Sequence, residues 1–292
     1  MLFVAFSYME RVCVTTPEDT GRAHISLVGI GTVGTMQLTH EADAVLRAAR
    51  VLYVLHAQSL VLDYLRERYD ADVVDLSTAY EEDKLRNQTY NEIAHTVLDG
   101  AIQDGGRRVA YVTSGHPLVL VTPAQLILKD ANEKAITVEV IPGVSSLDTV
   151  WADLRFDPGP DGALMFEATS LLLRRYPLIP TVPLFLWQVN SVETALYSTH
   201  KNKPERFARL QDYLLRYYPD DHVGKLVHSA SFPITRAEIV SVALGKLGVL
   251  ADVATSQHIL YVPPVGRKPI IDKTLRAATS SVEHLHGLIA ML

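Results

Sequence analysis

The chain has 292 residues, 48% of them hydrophobic and 21% charged, a composition that fits one large or two modest globular domains. Its formal charge of −6 speaks against a non-specific nucleic-acid binder, which carries a basic stripe. The single cysteine, Cys13, excludes an internal disulfide and a thiolate metal cluster, so a reducing cytoplasm is the default compartment.

Residues 1–23 read as an irregular arm. Its apolar start is short and lacks the basic leading region of a signal peptide, and no apolar run approaches the length of a bilayer span. No membrane partner is expected. The fold proper begins with a β-branched strand over 24–28. This strand runs into Gly29-Ile-Gly31-Thr-Val-Gly34, a literal dinucleotide fingerprint. That fingerprint needs an acidic residue after the next strand to hold a ribose. The next strand, 51–55, is followed by His56-Ala57-Gln58 and supplies none. The nicotinamide reading and the common nucleotide-site plan for methyl transfer weaken together. The glycines are instead expected to form a tight turn beside a substrate entrance.

A helix is predicted over 39–49, with Thr39 as cap and Glu41 and Asp43 in its first turn. A second helix over 60–68 and a short strand over 73–76 follow. The segment from Tyr80 to Tyr90 leads into a helix that continues to about residue 101. Arg86 and Tyr90, four apart, share a face of it. Tyr90 also heads an apolar stripe with Ile93, Ala94, Val97 and Ala101, so it is predicted to point inward. Next, a strand over 108–113 enters Ser114-Gly115-His116-Pro117, where glycine and proline force a turn. A sharp turn at the carboxyl end of a buried strand is where open α/β sheets bind ligands. Leu118 and Val121 beyond it suit a flat, mostly uncharged ligand surface. An ordinary strand-to-helix turn is the alternative. With a strand over 137–141, the alternation from 24 to 142 predicts a parallel sheet covered by helices.

Pro142-Gly143-Val144-Ser145-Ser146 reads as a hinge whose hydroxyls cap a helix over 147–154 and expose donors. The second half alternates again, with strands over 163–167, 182–188, 225–229, 239–243 and 258–262 and helices over 191–196 and 205–218. In the tail, Leu275, Ala278, Val282, Leu285, Ile289 and Leu292 form an unbroken heptad seam. Such a helix packs on its own domain or docks on another chain. The predicted organisation is therefore an arm (1–23), two α/β domains (24–142 and 143–265) and an amphipathic helical tail (266–292). No metal is expected, because the histidines lack ligand spacing apart from His284-x-His286 in the tail. His116 is either a proton shuttle or ligand, or it shapes its loop through a ring hydrogen bond.

The order Val28-Gly-Ile-Gly31, Ser114-Gly-His-Pro117, Pro142-Gly-Val-Ser-Ser146 resembles the tetrapyrrole methylase superfamily. Trp151-Ala-Asp-Leu, Asp157-Pro-Gly159, Phe166-Glu-Ala168, Leu186-Trp-Gln188 and Tyr218-Pro-Asp-Asp-His222 narrow the resemblance to the borosin peptide α-N-methyltransferases. The split type, whose precursor peptide is a separate chain, is the nearest in character. Gly-His-Pro, where corrin and sirohaem methylases carry Gly-Asp-Pro, points the same way. The resemblance spans residues 24–265. It implies two α/β domains with S-adenosylmethionine folded between them. Pro117, Leu118 and Val121 would line the cofactor, and Ser145, Ser146 and Gln188 would supply polar contacts. Gly29, Gly31, Ser114, His116 and Trp187 would lie on the substrate side. A homodimer is implied as well.

Methylating a backbone amide is hard because resonance draws the nitrogen lone pair into the carbonyl. The site needs a base near the N–H and donors near the oxygen. Tyr80, Arg86 and Tyr90 match the tyrosine and arginine positions that borosin enzymes use. Tyr90 or Tyr80 is expected as base, directly or through water, with Arg86 stabilising charge. A guanidinium beside a phenol is expected to lower the phenol's pKa. The bland alternative is a core aromatic and a surface cation. One departure stands out: borosin enzymes carry tyrosine before Gly-His-Pro, and here that residue is Ser114. Three functions stay open: methylation of a separate precursor peptide, methylation of a corrinoid or other small molecule, and a catalytically silent binding partner. The chain shows no repetitive apolar core peptide after its tail, so methylation in trans is expected.

Overall fold

The computed structural model describes residues 23–56, 58–103 and 108–290. The expected arm, apart from Ala23, and Leu292 of the tail seam lie outside them. The chain folds as two units. The first runs to Thr149 and adds Ala195–Thr199 and Ala230–Arg236; the second comprises Val150–Thr194, His200–Ser229 and Ala237–Leu292. The first division falls between Thr149 and Val150, a few residues past the expected hinge.

The first unit holds a parallel five-stranded sheet. Its strands are β1 (His24–Gly29), β2 (Val51–Leu55), β3 (Asp72–Asp75), β4 (Arg108–Thr113) and β5 (Thr137–Ile141), in the order β3-β2-β4-β1-β5. Side chains alternate across a strand, so each inner strand feeds two cores. Val28, Leu52, Val54, Ala110 and Val112 pack on one face under helices α1 (His40–Ala48) and α2 (Ser59–Arg68). Ile25, Leu27, Tyr53, Val109 and Tyr111 pack on the other under α3 (Arg86–Gln103) and α4 (Thr122–Glu133). Thr39 caps α1 as its side chain accepts the Ala42 N–H at 3.0 Å. The connections after β1 and β4 leave on opposite faces. The carboxyl ends of strands whose connections diverge in this way are the usual ligand site of open α/β sheets.

Near the amino-terminal edge of this sheet, Glu139 accepts a hydrogen bond from the Ser26 hydroxyl at 2.6 Å and lies 3.2 Å from the His24 ring and 3.5 Å from Arg108. His24, then Ser26 and Arg108, overcome the effect of burial and hold its carboxyl at about 2, against an ordinary 4.5. A depressed carboxylate stabilises the fold above its unfolded pKa, and that stabilisation is lost as pH falls through the folded value. Thermal midpoints should therefore fall between about pH 4.5 and 2 more steeply in the native chain than in Glu139→Gln. Equal slopes would refute the assignment.

The second unit holds a mixed sheet, β6 (Leu164–Glu167), β7 (Leu184–Trp187), β8 (Val223–His228), β9 (Glu238–Ala243) and β10 (Ile259–Val262), ordered β6-β7-β10-β8-β9. Only β6 and β7 run parallel. Between its remaining strands the simple alternation seen in the sequence does not produce a second parallel sheet. Helix α5 (Ser146–Leu154) spans the division, and α6 (Ala168–Arg174), α7 (Ala208–Leu214) and α8 (Leu250–Val253) follow. Residues 191–196, predicted helical, are not a helix: a 3-10 turn over Val189–Ser191 ends at extended Val192, and Glu193 has φ +68°.

The tail differs as well. It forms two short helices, α9 (Lys273–Ala278) and α10 (Val282–Leu288), where one had been expected. Two caps compete with the heptad pattern. Asp272 accepts the Leu275 N–H, and Ser281 accepts the His284 N–H. Leu275, Val282, Leu285 and Ile289 are all exposed. No described helix is long and apolar enough to cross a membrane.

Candidate active site at the carboxyl edge of the first sheet

Three loops meet at the carboxyl ends of β4, β1 and β5. Gly115 N–H donates to Gly31 O at 2.8 Å, and Gly31 N–H donates back to Gly115 O at 3.4 Å. The approach is closer still at three glycines. A Cβ on Gly29 would lie 2.3 Å from Gly115 O and 2.8 Å from Gly143 N, and one on Gly143 would lie 2.4 Å from Gly115 O and 2.6 Å from the Gly29 carbonyl. Backbone therefore packs on backbone. The three glycine motifs of the sequence are one structural feature, a cradle of backbone with the Pro117 ring packed against it, 2.8 Å from where a Gly29 Cβ would lie. Gly31, with φ +82°, turns the loop so that Gln37 accepts the N–H groups of Thr32 and Val33 at 2.7 and 3.1 Å. Helix α1 starts only at His40, so these glycines do not open directly into a helix N-terminus as a dinucleotide cradle requires.

The Ser114–Val121 loop borders the cradle. His116 Nδ1 accepts the Leu118 N–H at 3.1 Å, so the ring shapes its own turn. Exposed Ser114 directs its hydroxyl to Gly31 O at 3.4 Å. Pro117 is buried, Leu118 and Val121 are half-buried, and Leu120 holds φ +59°. A non-glycine residue in that region costs on the order of 1 kcal/mol and persists where the surroundings impose it, often at functional sites. Ser145 is committed elsewhere. Its N–H and hydroxyl donate to Asp148 at 2.7 and 3.0 Å, and its oxygen accepts the Leu147 N–H at 3.1 Å. This is a capping box for α5, so the donors expected of Ser145 are spent. Ser146 opens that helix.

Tyr80, Arg86 and Tyr90 lie together beyond β3. Tyr80 follows a 3-10 turn over Ser77–Ala79, and Arg86 opens α3 with Tyr90 one turn on. The Tyr80 and Tyr90 rings meet edge-on at 6.5 Å. Tyr90 is half-buried rather than in the core. Tyr80, Leu118 and Val121 all pack against the core beneath α3 and α4. The sequence had linked a nearby cation to a lowered phenol pKa. Burial reverses that for Tyr80: burial first, then Tyr90 and Tyr197, raise its pKa well above the ordinary phenol range, and Arg86 only partly opposes them. The expected lowering is therefore corrected: burial outweighs the nearby cation, and the shift of Tyr80 runs upward. Tyr111, fully buried on β4, is raised still further by burial and by Tyr80.

Sequence reasoning missed Tyr197, whose ring lies 4.9 Å from that of Tyr80. It belongs to Ala195–Thr199, folded with the first unit, and no local pattern announces that placement. In the second unit, Trp187 ends β7 and is buried. Gln188 follows in the left-handed region at φ +55°, and its carbonyl accepts the Ser191 N–H at 3.0 Å. Its side-chain amide makes no hydrogen bond among the described residues.

This architecture is that of a known class. Residues 24–246 match the family of tetrapyrrole (corrin/porphyrin) methylases, and the chain belongs to that family. The fold agrees with solved members. The uroporphyrin-III C-methyltransferase of Thermus thermophilus, solved with S-adenosylhomocysteine, superposes with a TM-score of 0.58 at 18% identity, over 87% of this chain and 99% of that one. The methyltransferase CobJ gives 0.58 at 15%, over 85% and 97%. Among curated proteins, a methyltransferase/type II borosin cyclic peptide precursor of Phlebiopsis gigantea is 30% identical over 252 residues, covering 85% of this chain and 44% of its own length. A type I borosin counterpart from Serendipita vermifera is 30% identical over 248 residues, covering 83% and 59%. The chain thus spans about half the length of these relatives.

Proposed function

We propose that this chain is an S-adenosylmethionine-dependent methyltransferase that N-methylates backbone amides of a precursor peptide carried on a separate chain. The observation that carries the reading is the Tyr80–Tyr90 pair with Arg86 beside it, on the sheet edge of a methylase-family chain about 30% identical to borosin methyltransferase precursors. S-Adenosylmethionine supplies an electrophilic methyl group. The apolar Pro117, Leu118 and Val121 suit such a ligand, with Ser146 on the adjoining turn. Ser145 serves this ligand only indirectly, by fixing the start of α5.

The chain's own residues divide the amide chemistry. Negative charge collects on the carbonyl oxygen as the nitrogen becomes nucleophilic, and preorganised donors aimed at that oxygen lower the barrier. Protonated Tyr80 and the Arg86 guanidinium are those donors. Tyr90, acting as its phenolate, is left as acceptor of the amide proton and becomes the phenol. His116 holds the loop that presents Gly-His-Pro, and Gly29 and Gly31 shape the substrate side. The exposed tail residues Leu275, Val282 and Leu285 support pairing of two copies.

Exposed Ser114, standing where the resemblance leads one to expect tyrosine, favours a second reading, methylation of a small molecule. Methyl-labelled S-adenosylmethionine separates the two. The purified chain is supplied with the small proteins encoded nearest to it and, in parallel, with a porphyrinogen. Label on a peptide is the expected result. Label on the porphyrinogen alone would overturn the peptide reading.

A further inference from the structure

We propose that Tyr197 is a positioning residue for Tyr80, carried to it by a strap formed by Ala195–Thr199. What Tyr80 does rests on the function proposed above; where Tyr197 holds it does not.

The strap is flanked in sequence by residues of the second unit but folds with the first. Hydrogen bonds fasten it to the turn between Tyr80 and α3. Asp83 N–H donates to Tyr197 O at 3.0 Å, Tyr197 N–H to Lys84 O at 2.8 Å, and Arg86 N–H to Ala195 O at 2.9 Å. Thr199 adds its N–H and hydroxyl to the Glu82 carboxylate, each at 3.0 Å. The last backbone bond satisfies one of the donors that a helix start leaves unpaired, here on Arg86 itself. Asp83, at φ +60°, takes the left-handed conformation that Asp adopts more readily than bulkier L-residues. The bond from its N–H to Tyr197 O ties that turn to the strap.

The consequence falls on Tyr80. The Tyr197 ring packs at 4.9 Å and 51° to it, and Tyr90 closes a second side at 6.5 Å and 75°. A donor that must meet a developing charge needs a fixed direction and little competing water. Two aromatic walls give the Tyr80 ring both. The strap thus fixes the backbone on one side of the phenol and walls its ring on the other.

The test uses the full chain labelled with 3-fluorotyrosine. The Tyr80 fluorine signal is assigned by its loss in Tyr80→Phe and followed against pH. In Tyr197→Ala its titration midpoint is expected to fall by about one pH unit or more, because the desolvating ring is gone. Tyr197→Phe, which keeps the ring but not the hydroxyl's charge interaction, should restore most of it. Tyr197→Leu, a milder change should the alanine variant misfold, should fall part of the way. On a methyl-accepting peptide, Tyr197→Ala should lose about tenfold or more in kcat, with S-adenosylhomocysteine affinity unchanged, and Tyr197→Phe should recover it. A wild-type midpoint in both Tyr197→Ala and Tyr197→Leu would overturn the proposal, as would Tyr197→Phe titrating like Tyr197→Ala. If the native chain methylates no peptide, the proposed reaction fails while the titration still decides the role of Tyr197.

Discussion

Tyr80→Phe is expected to lower kcat for methyl transfer about 100- to 1000-fold, the usual cost of one preorganised donor at a developing oxyanion. Affinity for S-adenosylhomocysteine should hardly change, because the hydroxyl lost is not among the residues proposed to line the cofactor. The pH profile distinguishes donor from base. A catalytic phenolate would make the rate climb with pH towards its pKa, and Tyr80→Phe would abolish that climb. A phenol kept protonated by burial and by its tyrosine neighbours contributes no such limb. The slope between about pH 7 and 9, a range below the ordinary phenol pKa, should therefore be the same in the native chain and in Tyr80→Phe, at very different absolute rates. A limb that disappears in Tyr80→Phe would return Tyr80 to the role of base.

Gly143→Ala is expected to have the largest effect on stability. Its Cβ would meet Gly115 O at 2.4 Å and the Gly29 carbonyl at 2.6 Å, and all of these are backbone atoms with no rotamer to yield. Overpacking costs about 1–3 kcal/mol and more where nothing relaxes, so about 3 kcal/mol is the expectation here. Gly34→Ala is the control. At Gly34 φ is +52° and nothing lies within 4 Å of a new Cβ, so only the left-handed backbone is penalised, by about 1–2 kcal/mol. Gly143→Ala should also abolish binding of S-adenosylhomocysteine by calorimetry, and Gly34→Ala should retain it. Equal losses in the two variants would show that close backbone approach is not what the cradle needs.

Both predictions rest on features that differ in how far the sequence reveals them. The buried strands β1, β2 and β4 are short β-branched runs between turn residues, and period and punctuation suffice to find them. Thr39 is legible for the same local reason. The motifs around Gly29, Gly115 and Gly143 were visible one by one. Their convergence was not, because sheet order decides it, and strands adjacent in space are far apart in sequence. The direction of the Tyr80 shift was misjudged because a sequence shows a neighbouring cation but not burial, and burial outweighs Arg86. Tyr197 was invisible for a related cause. Residues 195–197 satisfy their backbone groups on 83–86, over a hundred positions away, and local propensity alone suggested a helix there. In the tail, an unbroken heptad seam lost to the caps at Asp272 and Ser281.

In the proposed reaction the methyl group goes to a backbone nitrogen of a peptide supplied in trans. Fragment-ion mass spectrometry of that peptide, after incubation with the native chain and S-adenosylmethionine, tests it most directly. Whole methyl increments are expected between successive backbone fragments, on residues whose side chains cannot accept a methyl group, and should be absent with Tyr80→Phe at matched times. Methyl groups found only on side chains, or only on a small molecule, would contradict it.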